Sequence, residues 1–485
     1  MPELSLPGPR ALPLVGAAAE LARFLADPIA AIGRLFRLHG PLTALVVGAR
    51  TRVVSTKPDP PGTVFLYGPE LIRALLTNHT DFHKCGLAGP LYPQNPEAPR
   101  QKPVTRMLTG LFHVNEGAHK QQRRLLMPAF HRSRIESYRD EMVATTEALL
   151  EKYRPGTIRD IRPDMMEVTL RIATTTLFGA DLGEVGLNIG RELEEWSTVF
   201  RGAAIFPFDL PGAPYRRWLD LSHAIDAGIL RVIAAKRAEA ETGRDMLSML
   251  LEARDEDGAR LNEDDLVGHA GVIFAAGHET SSNALSWTLF LLAQHPEIMA
   301  ALCEELRSKL HGDAPTFEQL PELPLLDQVL KESLRIFPPA PLNHRVTARD
   351  SELGEYRIPA GTEILASIYH THRMPELYPD PLVFRPERWI GFDPGPYAFN
   401  PFSAGPRMCI GATFALFEIK IVLALLLQRF RFELVPNQHI ERKFTITMAP
   451  APRVLMRIAR PGRAYARSAR VSGNVHDMVQ LPSRS

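Results

Sequence analysis

The chain has 485 residues, with 56 Lys and Arg against 55 Asp and Glu, so its net charge is +1. At 45% apolar and 23% charged residues it is not a disordered, collagenous or coiled-coil chain. A nucleic-acid binder that relies on phosphate contacts would be far more basic.

Three cysteines, Cys85, Cys303 and Cys409, make neither a disulfide framework nor a zinc spacing, so a cytoplasmic location is expected. Residues 1–40 hold two Pro-rich turns and one helical pattern, read as a lead segment. No basic region precedes an apolar one there, so no secretory signal is expected. The stretch from Leu12 to Phe36 is broken by Pro13, Glu20, Arg23, Asp27 and Pro28. It falls short of the ~20 apolar residues of a spanning helix, and no transmembrane anchor is expected. Leu42 to Val47 and Thr63 to Tyr67 read as strands. Residues 85–115 form a long Gly/Pro-rich loop, of a length that suggests a functional cover. Helical periodicity then dominates from Glu116 to His311. Short strands return over 340–370, and 372–408 is a second irregular stretch. Phe414 to Gln428 is an apolar helix. The tail, 461–485, is rich in Arg, Ser and Gly and is expected to be disordered. The expected fold is mainly α with small β-sheets, its main domain spanning 41–460.

One helix departs from the others. Asn262 can cap it, and Glu263, Asp264 and Asp265 occupy its first turn, where the helix dipole favours anions. Running to about His295, it would have about 33 residues and a length of roughly 50 Å. Its second half is apolar nearly all round, which means burial. Yet mid-helix it carries Ala276-Gly277-His278-Glu279-Thr280. A glycine, an acid and a hydroxyl together in a buried helix break the local rules, as functional sites do.

The chemistry concentrates in Phe402-Ser403-Ala404-Gly405-Pro406-Arg407-Met408-Cys409-Ile410-Gly411. Cys409 ends a Pro/Gly-rich loop directly before a helix, whose N-terminus lowers a thiol pKa and offers N–H groups to the sulfur. Gly405 and Gly411 let the backbone approach a flat ligand. A sheltered thiolate is a soft ligand for a transition metal. Cys85 and Cys303 lack such surroundings and read as inert.

This stretch matches Phe-x-x-Gly-x-Arg-x-Cys-x-Gly at all five fixed positions, and the chain therefore resembles the cytochrome P-450 family of haem-thiolate monooxygenases. Glu332-Ser333-Leu334-Arg335 is similar to the family's Glu-x-x-Arg. Pro386-Glu387-Arg388-Trp389 is similar to its Pro-Glu-Arg-Phe, with Trp for Phe. Ala276 to Thr280 matches its oxygen-activation motif. The resemblance implies a triangular single domain with haem b between the central helix and the Cys409 loop. It implies Cys409 as the iron ligand and Glu279 with Thr280 as an acid–alcohol pair delivering protons. On their own, Thr280 could bond back to its helix and Glu279 could face water. The functional reading needs a local opening of the helix near Ala276. Glu332 and Arg335 share a helix face, and with Arg388 they would form a buried network fixing the loop before Cys409.

Haem propionates need cations, and Arg407, Arg345 and the pair His119 and Arg123 are the candidates; His344 competes with Arg345 and is disfavoured. Phe402 and Gly411 complete the cofactor cradle. The distal pocket implied by the resemblance includes Leu108, Phe112, Phe206, Ala275, Leu342 and Met448, an apolar set that suits a lipophilic small molecule. Too few residues follow Cys409 for a fused reductase. A separate ferredoxin- or flavodoxin-type donor is expected, docking on Arg123, Arg124, Arg132 and Arg134 of a monomer. The rival outside catalysis is a haem-binding sensor or carrier, for which Glu279 and Thr280 would be coincidence.

Overall fold

The computed structural model describes residues 6–11, 16–55, 59–85, 91, 95–107, 110–179, 184–238, 245–254, 258, 260–462 and 468–482. Helices dominate, and the long one, Glu263–Gln294, runs through the middle. Asn262 caps it, its side chain accepting the Asp265 N–H at 2.8 Å, and Pro296 opens the next helix. Leu285, Leu289, Phe290, Leu291 and Leu292 have no exposure at all, which accounts for the all-round apolar pattern of this half. The helix packs against Ile161–Phe178, Pro214–Ala238, Pro324–Ile336 and Ala412–Arg429. Trp287 stacks on Phe337 with ring centroids 4.0 Å apart.

The β portion is small. Its main sheet runs, edge to edge, through Leu42–Ala44, Thr63–Leu66, Glu363–Ser367, Leu342–Thr347 and Phe82–His83. Thr63–Leu66 pairs in parallel with Glu363–Ser367, so segments 300 residues apart in sequence close one sheet. Glu363 seals this junction, accepting N–H bonds from Val53 and Val54 and the Thr63 hydroxyl. A second sheet joins Ile158–Asp160, Leu455–Ala459 and Arg431–Leu434, and a hairpin pairs Glu441–Phe444 with Met448–Ala451. The loop 85–115 contains one short helix, Lys102–Met107. Among the described residues no helix is long and apolar enough to cross a membrane.

The tail differs from expectation. Residues 468–482 are packed: Val475, Met478 and Val479 are fully buried, and Val471–Ser472 pairs in parallel with Gln438–His439. The Gln480 N–H donates to the Leu382 carbonyl at 2.8 Å, and Arg373 donates to that of Met478 at 3.0 Å. Arg442 joins both ends of the chain, donating to Asp27 from its side chain and to Asn474 from its backbone. Average composition hid these contacts because four spaced apolar side chains suffice to dock a short segment onto an existing core. Residues 463–467 and 483–485 lie outside the described set.

Candidate active site

The Cys409 loop is held from both ends. The Cys409 N–H donates to the Phe402 carbonyl at 2.9 Å. Gly405 has φ +71, and a Cβ there would sit 2.7 Å from the Leu76 carbonyl oxygen, so no larger residue fits. Cys409 is exposed by surface area, yet burial among surrounding protein is what pushes its thiol pKa up. Both are true of a side chain facing a concavity. The Gly411 N–H and the Arg123 guanidinium act the other way and favour the thiolate. Arg123 also donates to the Met408 carbonyl at 2.8 Å, which fastens Glu116–Leu126 to the loop.

The central helix carries a second accessible face. Ala275 is exposed, and Val272, Ala276, Gly277, Glu279 and Thr280 are partly so, whereas 266–271 and 281–294 are buried. Exposure at this i, i+3, i+4, i+7, i+8 spacing marks one helix face. A stripe of that kind in the middle of an otherwise buried helix opens onto an interior space.

Cations crowd one end of the site. Arg345 is 2% exposed and its pKa falls to about 9, through burial first and then the charge of Arg407. Arg407, which donates to Asn115 Oδ1 at 2.7 Å, is lowered to about 10 by burial and by Arg123. Lys84, which sequence reasoning missed, is pushed well below the ordinary lysine value by burial, Arg345 and Arg407. Among the described residues no carboxylate acts on any of the three. His119 is buried and lowered to about 4, so at neutral pH it is an uncharged imidazole with one N–H to donate. His344 gives its ring nitrogen to the Cys85 carbonyl at 3.0 Å, and burial holds it neutral. Like charges gathered away from water cost free energy unless an anion joins them. A dianionic group is what this cluster accepts. Lys84 was missed because a single lysine after a strand has no motif spacing.

Glu332 and Arg335 have fully buried side chains and Arg388 a side chain 6% exposed. Arg335 grips Glu332 bidentately at 2.9 and 2.8 Å and donates to the carbonyls of His372 and Pro381. Glu332 also accepts from Arg388 Nε at 3.3 Å and the Arg385 N–H at 3.1 Å. The Trp389 indole N–H adds a bond at 3.0 Å that the family's usual Phe has no atom to make. The network continues to the loop through Trp389 on Phe399, centroids 4.5 Å apart, and His372, which accepts the Asn400 N–H at 3.1 Å.

Other expectations fare differently. The Thr280 hydroxyl donates to its own Ala276 carbonyl at 2.8 Å, and the helix is continuous from Glu263 to Gln294. The expected opening is therefore not present: the i−4 carbonyl satisfies the hydroxyl locally. Glu279 is only partly exposed; it accepts the Thr447 hydroxyl at 2.6 Å, and burial raises its pKa. Met448 does not line a pocket. It is fully buried, with its carbonyl accepting the Trp287 indole N–H, and its neighbour Thr447 meets the central helix instead. Phe206, 43% exposed, packs on Phe208 in an exposed apolar run with Ile205 and Leu210. Phe112, 37% exposed, lies 5.4 Å from the Lys84 ammonium, and Leu342 is partly buried in its strand. Leu108 lies outside the described residues.

An accessible thiol under a helix N-terminus, an accessible helix face and a largely buried cation cluster with no carboxylate among the described residues fit a thiolate-ligated haem with two propionates. Cys409 would hold the iron, and Arg345, Arg407, Lys84 and His119 the propionates.

The comparisons agree with this class of protein. The cytochrome P-450 family profile matches residues 6–457. Pentalenene oxygenase of Streptomyces avermitilis is 31% identical over 463 residues, covering 93% of this chain and 96% of that protein. Cyclooctat-9-en-7-ol 5-monooxygenase of Streptomyces melanosporofaciens is 33% identical over 381 residues, covering 76% and 80%. The structure of retinoic acid-bound cyanobacterial CYP120A1 superposes with TM-score 0.79 at 27% identity, covering 94% of this chain and 100% of that one. The chain belongs to the cytochrome P-450 family. It is a haem b-dependent monooxygenase that draws its electrons from a redox partner.

Proposed function

We propose that the enzyme hydroxylates or epoxidises a cyclic terpenoid in the cytoplasm, acting as a monomer with an acidic ferredoxin or flavodoxin as its donor. The observation that carries the substrate class is the accessible face of the central helix. Val272, Ala275, Ala276 and Gly277 are small or apolar, and Glu279 and Thr280 are its polar groups. Such a wall suits a compact hydrocarbon skeleton and offers no counter-ion to a fatty-acid carboxylate. The names of the two Streptomyces relatives point the same way.

The bound haem supplies the oxidising chemistry. The protein's own residues supply the rest. Cys409 would hold the iron through its thiolate, which the Gly411 N–H and Arg123 favour against the effect of burial. The Glu332 network fixes the loop that carries it. Glu279 holds a proton at Oε and passes it along the helix face toward the Thr280 hydroxyl. For the donor, Arg124 and Lys120 are exposed beside exposed Met127 and Met408, with Arg134 close by. Arg132, bound to Glu136 and Glu318, and Arg123, bound to the Met408 carbonyl, complete the arginine rim. A basic rim steers an acidic partner.

The test is a spin-state titration of the holoenzyme with cyclic terpene hydrocarbons and alcohols against fatty acids. Terpenoids should give the shift, and with dioxygen and reductant an oxygenated product. Binding of fatty acids alone would refute the substrate class. Thr280→Ala should divert reducing equivalents to peroxide while substrate still binds; unaltered coupling would refute its role.

A further inference from the structure

We propose that Thr447, itself oriented by Asn283, is a positioning residue for the Glu279 carboxyl. The inference rests on the relay reading of Glu279 and names what holds that acid in place.

The hairpin of Glu441–Phe444 and Met448–Ala451 turns through residues 445–447, with the Thr445 N–H donating to the Thr447 carbonyl at 3.2 Å. Two bonds fix the turn to the core. The Met448 N–H donates to the Pro339 carbonyl at 2.8 Å, and the Met448 carbonyl accepts the Trp287 indole N–H at 3.2 Å. Thr447 is therefore held against the central helix at 7% exposure. Its hydroxyl has one proton. Asn283 Nδ2 donates to Thr447 Oγ1 at 3.1 Å, so that proton points to Glu279 Oε1, 2.6 Å away. Asn283 is four residues after Glu279 on the same helix face, which lets one helix supply both ends of the chain Asn283 to Thr447 to Glu279.

Charge does not do this work instead. The charged groups acting on Glu279 are Glu194, Arg162 and Lys443, from two helices and the hairpin. Arg162 is paired with Glu194 at 3.3 Å, which largely cancels their combined field. Burial is the largest influence and favours the neutral acid; the Thr447 hydrogen bond is the next, and favours the carboxylate. Thr447 thus fixes which oxygen of Glu279 is occupied and how readily it gives up its proton, while the other oxygen stays available to the helix face that bears Thr280. The hydroxyl of Thr280 is bonded to Ala276, so within this pair Glu279 takes its guide from Thr447.

The experiment uses holoenzyme and two readouts. One is the pH titration of the Glu279 carboxyl band in the infrared, identified by its loss in Glu279→Gln. The other is the fraction of reducing equivalents lost to peroxide across the same pH range. Thr447→Val, close in shape but without the hydroxyl, should raise the titration midpoint by about one pH unit, a tenfold rise in proton affinity. The pH profile of coupling should move with it. Thr447→Ser should restore both. Asn283→Ala should move both in the same direction by less. Haem content and the carbonyl spectrum should stay at wild-type values; Thr447→Ala carries the same expectation if Thr447→Val folds poorly. An unshifted midpoint in Thr447→Val, with Glu279→Gln uncoupled, would overturn this inference alone. Unchanged coupling in Glu279→Gln would overturn the relay and the inference with it.

Discussion

Glu418 is a buried acid whose ionisation bears on the stability of the fold. It lies on the helix Ala412–Arg429 with no exposure. Burial raises its pKa from 4.5 to about 8, with only the Ser281 hydroxyl acting against the rise. The folded protein therefore keeps this proton at neutral pH while the unfolded chain has lost it. Below about pH 4.5 both states hold it, and its neutral form costs nothing extra. From there to about 8 stability falls by ~1.4 kcal/mol per pH unit, a loss of up to about 5 kcal/mol. Above about 8 the loss is complete and the curve flattens. Glu418→Gln keeps the shape and has no proton to lose. Melting of the holoenzyme between pH 5 and 9 should show the Gln variant level with wild type at pH 5 and progressively more stable up to pH 8. Parallel curves would refute the reasoning, because they would mean that Glu418 ionises in the folded protein at its ordinary pH.

Cys409→Ser should abolish the strongly red-shifted carbonyl absorption of thiolate ligation, whereas Cys85→Ser and Cys303→Ser should keep it; a retained band in Cys409→Ser would remove the ligand assignment. Arg335→Ala leaves the Glu332 charge buried and should cost about 3–5 kcal/mol, seen as little haem incorporation; a normal melting curve would count against the network. Trp389→Phe removes one bond to a buried carboxylate and should cost about 1.5–3 kcal/mol, read by urea unfolding, with no change there arguing that the indole bond is idle. Lys84→Met should release haem to apomyoglobin roughly tenfold faster, as expected for one charge-assisted bond of about 1.4 kcal/mol; an unchanged rate would exclude Lys84 from the propionate set.

What was legible in the sequence was what is local or fixed in spacing. Asn262, the acids after it and the apolar run to Gln294 announced a long buried helix because capping and periodicity are properties of one segment. The residues from Phe402 to Gly411 were readable because a thiolate loop needs its glycines and arginine at set distances from the cysteine. Contacts made across the fold were not readable. Lys84 meets Arg345 and Arg407 only because Phe82–His83 forms the edge of a sheet with Leu342–Thr347. Thr447 was passed over for Met448, one residue on, since an apolar side chain suggests a pocket while strand alternation sends neighbours to opposite sides. Thr280 shows the reverse difficulty. The motif was recognisable, but the choice between a hydroxyl bonded to its own helix and one holding water depends on geometry that no spacing encodes.

The docked segment 468–482 also imposes an order on biosynthesis. The Gln480 N–H and the bridge from Gln480 to Val383 cover residues 381–383, whose carbonyls at 381 and 383 receive Arg335. Residues 468–482 are translated after Cys409, and at ~5–20 residues per second the interval is on the order of ten seconds. A nascent chain thus displays the sulfur loop while the far side of its supporting network is still uncovered. The arrival of residues 468–482 then closes the support from behind.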